Sequence, residues 1–329
     1  MLATDVRWRS SDDGYRAAMP TEHAYAAPDP PGSRGHLLDL YQPGAPADGR
    51  GRPLVLWSSG SAFLSDDGKA GAQAMAEHFT QAGWVVAGVS VRSSGQAVFP
   101  AQVHDVKAAI RWLRAHATEH AIDPERIAII GNSSGGWVAS MAALTAGHDE
   151  LEGLVGWHVT ESSAVQAAVD LYGPTDFLQM DAHMSPASMG EFNAMVQTTD
   201  GHNDAASPES RLLGAPITTV PAACAAANPA AYASSAAPPM LLVHGQADQL
   251  VPHHQSEVLF DALAAVGADV IFVSIPGNRH EHPYLVDASQ ADGRIVHTTR
   301  VADDPDVVAL RDGGPTLAVV EAFLRRALG

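Results

Sequence analysis

Residues 123–144, DPERIAIIGNSSGGWVASMAAL, constrain this chain more than any other stretch. A short polar turn leads to the apolar run 126–131, then to Gly131-Asn132-Ser133-Ser134-Gly135 and Gly136, then to a segment rich in Ala, Met and Leu. That order predicts a strand turning sharply into a helix. G-x-S-x-G at such a turn is the pattern of a nucleophile elbow, in which small residues let the backbone bend and project a serine hydroxyl from the top of a sheet. The helix that follows points its first N–H groups at the same place, favouring developing negative charge. The pattern selects Ser133. Were Ser134 the nucleophile, Asn132 would stand where the first glycine is needed.

Around the elbow the chain alternates between two periods. The runs 36–43, 53–59, 84–91, 164–173, 239–248 and 269–277 are short and apolar, as buried strands are. From Pro100 the spacing changes: Val103, Val106, Ile110 and Leu113 fall on one helical face, with Lys107, Arg111 and Arg114 on the other. Residues 256–265 and 316–328 are likewise helical in pattern. Strands alternating with helices predict an α/β fold with a mostly parallel sheet covered on both faces. The expected layout is an N-terminal extension over 1–34, with a Pro/Gly-rich loop at 27–35, and one domain over 35–329. Within it, 177–237 is irregular and long enough to be a lid or pocket-wall insertion. Residues 286–312 carry no assignment.

Composition excludes several function classes. The formal net charge is −18, from 37 acidic against 19 basic residues, so a polyanion would be repelled and nucleic acid is not an expected partner. No apolar run approaches the ~18 to 20 residues of a membrane span, so no membrane partner is expected. The first twenty residues mix charges of both signs without an apolar core and do not resemble a signal peptide, which leads to the expectation of a cytoplasmic protein. Cys224 is the only cysteine, with no His or Asp beside it to activate the thiol. Oligomeric state is not legible.

A serine hydroxyl needs a base, and the base needs a carboxylate to orient it. With this elbow, the acid and then the histidine follow the serine in chain order. Asp248 ends the strand run PMLLVHGQAD and is the leading acid, with Asp170 and Asp176 as alternatives. His280 follows the next strand through a short Pro-Gly turn and is the leading base, ahead of His282. His280-Glu281-His282 has no third ligand cluster to make a metal site, so no metal is expected. Ser61 and Ala62, in the small-residue loop after 53–59, are candidate N–H donors to an oxyanion, together with Ser134. Phe63, Trp137 and Phe177 are candidates to contact substrate.

The segments FPAQVHDVKAAIRWLRAHA, DPERIAIIGNSSGGWVASMAAL, AVQAAVDLYGPTDFLQM, SPESRLLG, ANPAAY, PPMLLVHGQADQLVPHHQSEVLFDALAAVGADV and PGNRH occur in that order over roughly residues 35–282. They resemble bacterial α/β-hydrolases of the bifunctional feruloyl and acetyl esterase-like group, near the hormone-sensitive-lipase-like esterases. The resemblance implies an α/β-hydrolase fold and a carboxylic-ester hydrolase with no cofactor; the expected substrate is a small-molecule ester of short-to-medium acyl or aromatic character. Carried over, its nucleophile, acid and base fall on Ser133, Asp248 and His280. The family's His-Gly-Gly-Gly-aromatic oxyanion loop falls on Ser59-Gly60-Ser61-Ala62-Phe63, which lacks the histidine and two glycines.

Overall fold

The structure, a computed structural model, describes residues 19–44 and 49–329. Residues 1–18, most of the expected N-terminal extension, lie outside the described residues. Among those described, nine strands form one sheet: β1 (Thr21–Ala24), β2 (Leu37–Tyr41), β3 (Arg52–Ser58), β4 (Val85–Val89), β5 (Ile122–Asn132), β6 (Ala167–Leu171), β7 (Met240–Gly245), β8 (Val270–Ile275) and β9 (Ile295–Thr298). Their order is β1-β2-β4-β3-β5-β6-β7-β8-β9. From β4 to β8 all neighbours are parallel. The edges are antiparallel, β1 on β2, β2 on β4 and β9 on β8. All six strand runs expected from the sequence are present.

Helices cover both faces: α1 (Ala72–Phe79), α2 (Ala101–Ala115), α3 (Ser134–Leu144), α4 (Asp149–Glu152), α5 (Pro186–Val196), α6 (Pro208–Leu213), α7 (Pro221–Ala226), α8 (His254–Ala265), α9 (Pro305–Gly313) and α10 (Leu317–Leu328). Because alternate strand residues point to opposite faces, each strand divides its apolar side chains between two cores. Leu54 and Leu56 of β3 join α2, α3 and α8, whereas Val55 and Trp57 join α1, α9 and α10.

Two expectations change. The sheet begins earlier than residue 35, since Thr21–Ala24 pairs with β2. Residues 286–312 acquire a place: they supply β9 and most of α9, and Arg300 ties this end of the chain to Asp269 at 2.6 and 2.9 Å. Lys107 and Arg111, on the helical face opposite the apolar one, are themselves buried. Lys107 donates to the Thr145 carbonyl at 2.5 Å and to Glu152 at 3.0 Å, and Arg111 donates to the Glu152 carboxylate at 3.0 Å. Burial pulls the Lys107 ammonium below its usual range, against the opposing Glu152 charge. One carboxylate on α4 therefore answers two buried cations on α2. Glu152→Ala should leave both uncompensated and destabilise the fold by about 3 kcal/mol, measured as a lowered urea midpoint with an unchanged slope.

Candidate active site

Ser133 sits between β5 and α3 with φ 55° and ψ −129°, a backbone region sparsely populated by residues with a side chain. Its neighbours explain why glycines surround it. A Cβ on Gly131 would lie 2.0 Å from the Gly135 carbonyl oxygen, and one on Gly135 would lie 2.0 Å from that of Ser58. Gly60, in the loop after β3, comes so close that its Cβ would be 2.5 Å from that of Ser133. The Ser133 N–H donates to the Leu171 carbonyl at 2.8 Å. The elbow is thus clamped between β3 and β6.

Asp248 and His280 come from the loops after β7 and β8. His280 Nε2 lies 2.9 Å from Ser133 Oγ, and its Nδ1 lies 2.8 Å from Asp248 Oδ2. With the carboxylate accepting at Nδ1, Nε2 presents a lone pair to the serine hydroxyl. The structure therefore brings together the three leading candidates. Asp248 Oδ1 accepts the backbone N–H groups of Leu250 and Val251 at 2.8 and 3.0 Å. Burial disfavours its charge, but His280 and His244 beside it hold the carboxyl well below the usual carboxylate range.

His244 has no counterpart in the sequence reading. Its Nε2 faces two acceptors, Asp248 Oδ2 at 3.2 Å and the Val251 carbonyl at 3.0 Å, so the proton lies there. Nδ1 in turn accepts from Ser256 at 2.8 Å. Asp248 Oδ2 thus receives one histidine N–H from each side. Nothing local in the sequence distinguishes His244, because its four-residue distance from Asp248 becomes a contact only when the chain turns at the end of β7.

The alternatives occupy other places. Asp170 is buried and accepts from Ser140 at 2.6 Å and the Gly173 N–H at 2.7 Å, which ties α3 to β6. Asp176 caps the turn Phe177–Gln179. His282 lies beneath the site, accepting from Tyr172, which itself accepts from Asn132 at 3.3 Å. Burial and the neighbouring His280 bring His282 down to about 4. Among the described residues, no group of three His, Cys, Asp or Glu is arranged as a metal site.

The loop after β3 differs from expectation at one residue. The Ser61 N–H donates to Ser134 Oγ at 2.8 Å and is not free for substrate. The Gly60 N–H likewise donates to Asn132 Oδ1 at 3.0 Å. Ala62 and Ser134 line the cleft beside Ser133, and their N–H groups have no acceptor among the described residues. Ala62 and Phe63 both take left-handed backbone, with φ of 52° and 61°.

A cleft of about 410 Å³ opens at Ser133 and His280. Phe63 forms part of its wall, as expected. Trp137 and Phe177 do not: they are 0% and 1% exposed and pack edge-on behind Phe63, at 5.4 and 6.3 Å between ring centres. The residues that do reach the cleft come largely from the irregular region, Phe192, Met195 and Val196 on α5 with His202 and Glu209 beyond it. No periodic pattern marks them, because the region has no sheet or long helix to impose one.

His282 gives the site a pH signature. An unfolded histidine titrates near ~6.5, above the folded value of about 4. Between these values the unfolded chain binds more protons, so this contribution to stability is complete above ~6.5 and is lost as pH falls toward 4. Its full size is on the order of 3 kcal/mol. Urea unfolding at pH 7.5 and 4.5 should show a smaller difference for His282→Asn than for the parent chain.

Known proteins resemble this chain in sequence and fold. The BD-FAE family model matches residues 38–263. The chain is 30% identical over 240 residues to a probable carboxylic ester hydrolase of Mycobacterium tuberculosis, LipM, covering 73% of this chain and 51% of that protein. It is 27% identical over 253 residues to an Arabidopsis thaliana isoprenylcysteine alpha-carbonyl methylesterase, covering 76% and 55%. The chain thus spans about half the length of these curated relatives. Among solved structures, a truncated carbohydrate esterase from gut microbiota superposes with a TM-score of 0.73 at 27% identity, covering 95% of this chain and 99% of that one. An esterase of Thermogutta terrifontis superposes at 0.63 with 22% identity, over 93% and 94%, a likeness of fold. The fold is that of the α/β-hydrolases, and the chain belongs to the BD-FAE family.

Proposed function

We infer that this protein is a serine carboxylic-ester hydrolase acting through an acyl-enzyme. The observation that carries the reading is the continuous line of hydrogen bonds from Ser133 Oγ through His280 to Asp248. His280 Nε2 takes the serine proton as Oγ attacks the ester carbonyl. Asp248 holds the ring and balances the imidazolium that forms, aided by the N–H of His244 on the same oxygen. The tetrahedral oxyanion accepts from the N–H groups of Ala62 and Ser134, beside Ser133 in the cleft and without an acceptor among the described residues. His280 then protonates the departing alcohol. A water molecule gives a proton to His280 and attacks the acyl carbon, and the same proton returns to Ser133 as the acid leaves.

The cleft favours a small, largely apolar acyl group. Phe63, Phe192, Met195, Val196, Leu250 and Val251 supply most of its side-chain surface. Residues 177–237 act in this reading as the pocket wall over the catalytic face, with Trp137 and Phe177 supporting Phe63 from behind. The N–H of Ser61, rather than binding substrate, orients Ser134.

Hydrolysis of p-nitrophenyl esters from acetate to long chains should be fastest at the short end. Ser133→Ala should lower the rate at least roughly 1000-fold with an unchanged melting temperature. A fluorophosphonate probe should label the parent chain and not the variant. Full activity in Ser133→Ala would refute the mechanism, and turnover of amides in preference to esters would refute the substrate class.

A further inference from the structure

One side of the cleft is not apolar. His202 and Glu209 both reach it, although they are only 1% and 4% exposed. His202 Nδ1 lies 3.0 Å from Glu209 Oε2, and its Nε2 lies 3.1 Å from the Leu250 carbonyl. Both ring nitrogens therefore face acceptors. Burial works against a charged ring here, but the Glu209 carboxylate beside it raises His202 above the ordinary histidine value. The residue is further fixed by Phe192, whose ring lies tilted against the imidazole at 3.9 Å between centres, and by the bond of the His202 backbone N–H to Asp181 at 2.9 Å.

This arrangement leaves one polar atom unmet. Oε2 of Glu209 is taken by His202, whereas Oε1 has no hydrogen-bond donor among the described residues. A carboxylate oxygen that faces an apolar cleft gains most from a directed donor, which a substrate can supply in place of solvent. Its charge is already balanced by the His202 ring at hydrogen-bond distance, so the unmet demand is for a proton donor and not for a cation. A neutral hydroxyl meets it.

Building on the esterase reading above, we propose that Glu209, held by His202, is a subsite that accepts a hydrogen bond from a free hydroxyl on the ester substrate. Glu209 is then a specificity-determining residue: it adds nothing to the reaction of a plain ester and favours one carrying a hydroxyl at the right distance. A site built to bind a hydroxyl rejects the analogue lacking it more strongly than an apolar pocket discriminates by size. The hydroxyl can belong to the acyl part or to the alcohol.

Two substrate pairs separate these sources: methyl 4-hydroxycinnamate against methyl cinnamate, and glycerol monoacetate against propyl acetate. In the parent chain kcat/KM should favour the hydroxylated member of at least one pair about tenfold or more, the scale of one hydrogen bond to a charged acceptor. The first pair responding places the hydroxyl on the acyl side and the second on the alcohol side. Glu209→Met should abolish that preference, read as the ratio of kcat/KM within the responding pair, and Glu209→Gln should retain part of it. Equal kcat/KM within both pairs in the parent chain would overturn the proposal, and this arm needs no variant to fold. So would a Glu209→Met chain that loses activity on all esters in proportion, the mark of a purely structural pair. Absence of p-nitrophenyl acetate hydrolysis by the parent chain would instead refute the esterase reading on which the subsite rests.

Discussion

The backbone at Ser133 is the constraint from which the rest of the site follows. Holding a residue with a side chain at φ 55° and ψ −129° costs on the order of 1–3 kcal/mol. It persists because the surrounding structure leaves no alternative. Gly131 and Gly135 meet at a distance that excludes any Cβ, and Gly135 rests on the Ser58 carbonyl. These contacts set α3 directly against the end of β3. The same closeness puts Gly60 beside Ser133 and brings the Ser61 N–H onto Ser134 Oγ. The loop that would carry an oxyanion donor is therefore located by the elbow itself, and Ala62 is the first residue along it whose N–H remains free.

Three buried clusters handle charge in the same way, by surrounding the charged group with several partners. Asp248 has four N–H donors, two from the backbone and two from histidines. Glu152 answers Lys107 and Arg111 and also accepts from the Gly147 N–H and the Ser163 hydroxyl. His202 is enclosed by Glu209, Leu250 and Phe192. Removing one member of such a group costs more than its own contacts, because the others remain buried without an answer. These clusters also join segments distant in sequence, α2 to α4 in one case and α6 to the loop carrying Asp248 in another.

What could be read from the sequence depended on how local its cause was. The elbow was legible because strand, small residues and helix are consecutive. The parallel strands β3, β4, β6, β7 and β8 were legible because both their faces are buried, which makes them continuous apolar runs, and β2 because its residues alternate. β1 and β9 are four residues long with largely exposed or half-exposed side chains, and they exist because a neighbouring edge offers hydrogen bonds. Lys107 and Arg111 fall on the charged face of the helical pattern, and nothing local in the sequence marks that face as buried. Their burial follows from Glu152, more than forty positions away. Asp248 and His280 were placed by chain order, whereas Ser61 was misplaced because its hydrogen-bond partner lies 73 positions further on.

The distribution of charge also bears on how an ester would be held. The chain carries a net −18, yet Glu209 is the only carboxylate lining the cleft among the described residues, and a histidine stands against it. Asp248 lies behind His280, with its own histidine on the far side. The acidic excess therefore resides elsewhere and is screened by solvent and salt within about 10 Å. An uncharged ester entering the cleft would meet apolar side chains, the N–H groups of Ala62 and Ser134 and the Glu209 carboxylate. Its position is then decided by shape and by a few directed hydrogen bonds, whose strength rises as water is displaced from the cleft.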